Sequence, residues 1–402
     1  MVSLMDRYVV SILLQQIKED LLLSDTQLGL LVGPAFVVVH ILSQLPLARL
    51  ADRTVRPRLI AAATLLWSLC TIAAGFAKNF PQLFITRMGV GITEAACSPT
   101  LASLISDYFS ESKRGKALAM MSVGGTAGIG AGMILGGEVG AAYGWRVAMI
   151  VAGIPGILLA LLVLLTVKEP RQAPVVKVAK GPSTWSVVRS LFRSNAYVWL
   201  VVGASASLLV GLGRGAWEPV FLIRVYGLEQ AETGLIYFLT SPLPSMVGAF
   251  FGGVLLDRLL PKDRRWYLWL PGLAMLLGLP GILAFLLAPA SWMIGDTGLP
   301  VGLLFSVIGS TIAGAAGPGM IAAGQALASA DVRATSHAVW TMVANLVGMG
   351  LGPLIAGGLS DALVIDYGAD SIRYALTILS IGAIPAAIVM IWGARHISAH
   401  GD

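Results

Sequence analysis

The chain has 402 residues, of which 56% are hydrophobic and only 12% charged. A mean hydropathy of +0.82, with charge at about half the usual ~25%, excludes a soluble multidomain protein. The formal net charge of +6 therefore says little about nucleic acid, and what matters is where the charges fall.

About twenty apolar residues are needed for each bilayer crossing. In chain order, spans are expected near Met1–Gln16, Gln27–Leu50, Pro57–Ala77, Pro81–Tyr108, Gly115–Val139, Trp145–Val167, Ala196–Tyr226, Gly234–Leu256, Arg265–Ala288, Leu299–Ala328, Thr335–Leu359 and Ile372–Trp392. These twelve define an all-α membrane protein. The first span is short, so the natural chain is expected to continue upstream of Met1.

Charge sets the sidedness. One set of connections carries Arg49, Arg53, Arg56 and Arg58, then Lys113, Arg114 and Lys116, then Lys168 to Arg193, then Arg258 to Arg265. The opposite set carries Glu19, Asp20, Asp25, Glu138, Glu229, Glu232, Asp296, Asp366 and Asp370. By the positive-inside rule the first set is cytoplasmic, and both termini lie on that side. The longest connection splits the chain into a six-helix bundle over 1–167, a cytoplasmic linker over 168–194 and a second six-helix bundle over 195–402.

The halves repeat. Leu50-Ala51-Asp52-Arg53, after the second span, returns as Leu255-Leu256-Asp257-Arg258 after the eighth. Gly128-x-Gly130-x-Gly132 in the fifth span returns as Gly348-x-Gly350-x-Gly352 in the eleventh. Glycine series let helix backbones approach closely, and repeated halves mark transporters that alternate between two states.

Several charges sit inside spans. Asp6 and Arg7 interrupt the first, and Arg87 and Glu94 the fourth. Each charge at a bilayer centre costs roughly 2.5–3.5 kcal/mol, so four must pair or meet water. Asp6 and Arg7 are neighbours pointing about 100° apart, whereas Arg87 and Glu94, seven apart, share one helix face. Asp6 is expected to pair with Arg87 or Arg7, and Glu94 with Arg7. Two acids and two bases that a proton could rearrange fit coupled transport better than a permanent clamp. Proton coupling is therefore expected of Asp6 and Glu94, and substrate binding or charge balance of Arg7 and Arg87.

In the seventh span Arg214, Trp217 and Glu218 precede Pro219, which is expected to bend or unwind the helix. Arg214 and Glu218 form either an outer gate or substrate contact, or a pair along the helix. Asp52, Arg53 and Arg114 are expected to form a cytoplasmic gate. His40 and His337 are expected to be packed, structural histidines. Cys70 and Cys97 read as small buried hydrophobes. No phosphate-binding loop, metal cluster or nucleophile–base arrangement stands out, so neither a cofactor nor enzyme chemistry is expected.

The loop Ala48-Arg49-Leu50-Ala51-Asp52-Arg53-Thr54-Val55-Arg56 resembles the cytoplasmic signature of the major facilitator superfamily, with Ala48 and Val55 in place of the usual glycines. Gly132-Met133-x-x-Gly136-Gly137 resembles that superfamily's antiporter signature, with Met133 where proline is typical. Asp6-Arg7-Tyr8, Arg87-x-Gly89-x-Gly91-x-x-Glu94-Ala95 and Asp107-Tyr108-Phe109 with Arg114-Gly115-Lys116-Ala117 together look like the Spinster-like branch.

The resemblance implies the major facilitator fold, twelve transmembrane helices in two pseudo-symmetric six-helix bundles; short loops and the lack of an Asn-x-Ser/Thr sequon fit a prokaryotic relative in an inner membrane. The resemblance also implies a monomeric, proton-coupled carrier of an amphiphilic, sphingolipid- or lysophospholipid-like substrate. Alternatives are a broad-specificity drug/proton antiporter, a non-coupled lipid scramblase and a membrane receptor.

Overall fold

A computed structural model describes residues 1–170, 184–329 and 332–398. Among them there is no strand, only an isolated bridge between Met293 and Pro300. The chain clusters into two compact units, one of Met1–Ala179 with Leu228–Ile236, the other of Lys180–Gly227 with Tyr237–Asp402.

The first unit contains α1 (Val2–Leu21), α2 (Asp25–Val32), α3 (Pro34–Arg53), α4 (Arg56–Ala74), α5 (Phe80–Glu94), α6 (Cys97–Tyr108) and α7 (Glu111–Thr166). The second contains α8 (Thr184–Leu191), α9 (Asn195–Arg224), α11 (Pro242–Leu259), α12 (Trp266–Leu287), α13 (Gly302–Gly314), α14 (Ala316–Ala326), α15 (Arg333–Tyr367), α16 (Ser371–Ile381) and α17 (Ala383–Gly393). The intervening α10 (Gln230–Thr240) is divided between them.

Eight stretches are long and apolar enough to cross a membrane, and the two longest, Met120–Thr166 and Thr335–His396, hold two crossings each. With α1 and α5–α6, which carry the buried charges, the crossings number twelve. The first is longer than the sequence pattern indicates, because α1 continues through Lys18, Glu19 and Asp20 to Leu21. Lys18 meets Asp25 at 2.7 Å and Asp20 meets Arg146 at 2.5 Å, so these end charges are paired. Ser24 then starts α2 with a reciprocal cap: its hydroxyl accepts from Gln27 N, and its own N–H donates to Gln27 Oε1.

The fifth and sixth crossings are one chain of helix, α7, turned at Gly144. Its φ of 82° lies in the left-handed region that glycine adopts without steric cost.

The odd-numbered crossings run unbroken, whereas five of the even-numbered ones are interrupted, at Gly33, Ala95–Ala96, Ser241, Ala315 and Gly382. Each break has a proline just after it: Pro34, Pro99, Pro242, Pro318 and Pro385. Proline has no N–H to close the helical ladder, so one carbonyl per break is released. The breaks of the second and eighth crossings match across the repeat, as do those of the fourth and tenth.

The glycine series does what its spacing implies. A Cβ on Gly132 would meet the backbone oxygen of Met5 at 2.5 Å, and one on Gly352 would meet that of Leu209 at 2.5 Å. So α1 packs along α7 in the first unit, and α9 along α15 in the second.

Candidate functional site

The first cluster grows from α1 and α5. Met5, Val9 and Val10 are buried against their unit, and the same helix carries Asp6 and Arg7. On α5, a Cβ on Gly91 would meet the backbone oxygen of Phe36 at 2.5 Å, and one on Gly89 would meet Cys70 Sγ at 2.6 Å. These small residues let α5 close onto α3 and α4, which brings Arg87 and Glu94 into the unit's interior. Arg87 is 2% exposed and Glu94 4%.

Arg7 and Glu94 pair: Nη2 donates to Oε1 at 2.5 Å and Nε to Oε2 at 3.3 Å. Ser3 Oγ also donates to Glu94 Oε1. The Arg7 guanidinium lies 4.3 Å from the Phe36 ring centroid, and Phe36 stacks on His40 at 5.0 Å. His40 Nδ1 is 3.1 Å from Gly91 O, so this histidine is packed and partnered as expected.

Asp6 does not join that pair. It is buried and accepts from Thr71 Oγ1 at 3.3 Å through Oδ2, while Oδ1 lacks a hydrogen-bond partner among the described residues. Arg87 likewise has no such partner at Nε and Nη1. The expected Asp6–Arg87 ion pair is therefore not closed. Neighbouring positions on α1 face different helices, and only one of them reaches its opposite charge. The cluster thus holds one closed ion pair beside two buried, incompletely satisfied charges. Such atoms normally find a partner, water or a mobile ligand included.

The second cluster is in the other unit. Arg214 Nη1 meets Glu218 Oε2 at 2.7 Å, one turn along α9, so the pair runs along the helix. Glu218 is fully buried and also accepts from Ser241 and Ser306, each at 3.4 Å. Ser241 is the break residue between α10 and α11. Trp217 Nε1 donates to Pro353 O at 2.9 Å.

The helix is not unwound there: α9 is continuous through Pro219. The carbonyl that Pro219 leaves without a helical donor is that of Gly215, and Tyr237 Oη donates to it at 3.1 Å. An external hydroxyl takes the place of the missing N–H. No sequence spacing signals that pairing.

Of the expected gate residues, the side chains of Asp52 and Arg114 lie outside the described residues, and Arg53 is exposed. A different clamp is present nearby. Arg56 is 1% exposed, donates to Ser103 at 2.9 Å and meets Asp107 at 2.7 Å and Glu169 at 2.5 Å. Its backbone N–H donates to Glu169 as well, at 2.8 Å. Arg56 and Asp107 both belong to the quoted motifs, but an arginine in a basic loop reads as solvated. His337 packs its ring against Trp340 at 5.5 Å. Cys97 is buried, Cys70 half-buried and both are free thiols. No group of three or more metal-ligating side chains occurs among the described residues.

Twelve membrane-crossing helices in two repeated bundles, with charges buried among them, define a membrane transporter of the secondary type. The chain belongs to the major facilitator superfamily, whose family model matches residues 1–353. Its similarity is to the Spinster-like branch. A solved structure described as a bacterial homolog to human lysosomal transporter, Spinster, in an inward-facing and unoccupied conformation superposes with a TM-score of 0.88. That match has 26% identity and covers 98% of this chain and 94% of the other. Protein spinster homolog 3 of Danio rerio is 27% identical over 90% of this chain and 75% of its own. An MFS-type efflux pump of Mycolicibacterium smegmatis is 32% identical over 93% of this chain and 85% of its own.

Proposed function

We propose that this transporter is proton-coupled and carries an amphiphilic, lipid-like substrate by alternating access, with both termini on the cytoplasmic side of a bacterial inner membrane. The observation that carries the reading is the first cluster: a closed Arg7–Glu94 pair beside Asp6 and Arg87, which keep polar atoms without a hydrogen-bond partner among the described residues. A proton taken by Glu94 cancels its charge and releases the Arg7 guanidinium. Arg7, whose side chain is 21% exposed, then meets an anionic head group through charge-assisted hydrogen bonds. The resemblance of the quoted motifs to the Spinster-like branch supports the choice of a lipid-like tail.

Asp6 and Arg87 act beside that pair, Asp6 as a second proton acceptor. In the other bundle Arg214, Trp217 and Glu218 form a charge network that contacts substrate or holds α9. Asp52, Arg53 and Arg114 act as gate charges, and Asp52→Asn should shift the population toward inward-open forms. Distances between spin labels on the basic ends of α6 and α14 read that shift, and unchanged distributions would remove the gate role.

A broad-specificity drug/proton antiporter is the second reading, favoured by the efflux pump among the relatives. A panel of anionic and cationic amphiphiles in proteoliposomes, with and without an imposed pH gradient, separates these readings. Gradient-driven flux of the anionic members supports the first and that of the cationic members the second. Equal flux without a gradient means scrambling, and no flux means a receptor.

A further inference from the structure

The helix α8 belongs to neither charge cluster. It sits in the basic connection, close before membrane-crossing α9. Its Val187 and Leu191 are buried in the hydrophobic core of the second unit, where α8 packs on α15. A second stripe is formed by Trp185, Val188 and Arg189 of α8 with Phe192 and Arg193 of the turn that follows it, where Phe192 also meets the Tyr197 ring edge-on at 5.7 Å. The spacing i, i+3, i+4, i+7, i+8 is that of one helical stripe. Trp185 is 76% exposed and Phe192 40%, and the five residues line a single groove of 610 Å³.

Bulk water is a poor environment for the two aromatic rings, and hydrocarbon for the two guanidinium groups. The membrane–water boundary accommodates both. The rest of the unit locates that boundary at the same end of its helices. Where α12 begins, Arg265 lies over Trp269 at 4.9 Å, and where α17 ends, Arg395 lies over Trp392 at 4.1 Å. Rows of tryptophan beside arginine are the mark of an interfacial belt.

We propose that α8 lies in the bilayer interface on the basic side and that Arg189 and Arg193 hold the head group of an acidic phospholipid. Trp185 and Phe192 rest among the uppermost acyl carbons. One turn separates the arginines, so both reach a single head group, and a guanidinium fork matches a phosphate oxygen pair.

The test uses the full-length protein in detergent, offered equal amounts of phosphatidylglycerol and phosphatidylcholine, with bound lipid read by native mass spectrometry. The unmutated protein should retain the acidic lipid by about thirtyfold over the neutral one, since each of the two arginines near an acidic head group adds about fivefold. The double variant Arg189→Gln with Arg193→Gln should lose that preference without a change in melting temperature. Arg189→Lys with Arg193→Lys should keep most of it. Fluorescence quenching by lipids brominated high or low on the acyl chain, taken as the difference between unmutated protein and Trp185→Phe, should be stronger with high bromines. Equal retention of both lipids, a glutamine variant as selective as the original, or a Trp185 signal indifferent to bromine depth would each overturn the proposal.

Discussion

Arg7 on α1 and Glu94 on α5 stand 87 residues apart in the chain, and their charged atoms stand 2.5 Å apart in space. Asp6, the adjacent residue, faces α4 instead and takes a hydrogen bond from Thr71. A single helical step thus separates a closed ion pair from an aspartate oxygen with no hydrogen-bond partner among the described residues. The pair and its neighbour are chemically unequal, which makes their roles separable by mutation.

Glu94→Gln keeps the shape of the side chain and removes its charge. Substrate binding should persist while the response of flux to a pH gradient disappears. Proteoliposome flux measured with and without the gradient checks this, and gradient-driven flux equal to that of the unmutated protein would move coupling to Asp6 or refute it.

Arg7→Ala should weaken binding of an anionic amphiphile by about tenfold, or about 1.4 kcal/mol, because a charge-assisted hydrogen bond is lost in a poorly screened site. Binding of a cationic amphiphile should hold or improve. Arg7→Lys should restore only part of the loss, since lysine lacks the planar fork and stacks less well on Phe36. Equilibrium binding of both ligand classes reads the difference; equal losses for both would mean that Arg7 only holds α1 to α5.

Arg56→Gln should lower stability by about 2–3 kcal/mol, below the ~3–5 kcal/mol for breaking a fully buried pair, because Asp107 and Glu169 keep partial contact with solvent. The unfolding midpoint in detergent measures it. Substrate affinity should stay unchanged, as the clamp lies outside both charge clusters.

Tyr237→Phe leaves Gly215 O without its hydroxyl donor and should cost about 1–2 kcal/mol. In a Pro219→Ala background the restored N–H can take that carbonyl, so the same substitution should cost much less. A double-mutant cycle on unfolding midpoints gives the coupling, and additive effects would show that the hydroxyl does not substitute for the ladder bond.

The crossings, the repeat and the Arg7–Glu94 pairing were legible because lipid penalises unpaired charge so heavily that opposite charges in adjacent spans have few alternatives. The incomplete satisfaction of Asp6 and Arg87 was not, because side-chain direction depends on helix rotation that spacing leaves free. Arg56 was hidden by its neighbours: in a run with Arg53 and Arg58 nothing distinguishes the buried arginine from solvated ones. Pro219 does not unwind its helix. Its effect on α9 depends on Tyr237, a residue of another helix that supplies the missing donor.

The prolines that follow Gly33, Ala95–Ala96, Ser241, Ala315 and Gly382 turn five crossings into pairs of short levers sharing a pivot. Torsion applied at one leaflet is absorbed at the pivot before it reaches the other, whereas an unbroken rod such as α9 carries it through. Within each bundle the jointed helices are therefore expected to flex at their breaks more than the rods do. Deuterium entering from the aqueous phase should label the pivot amides well before those of the rods.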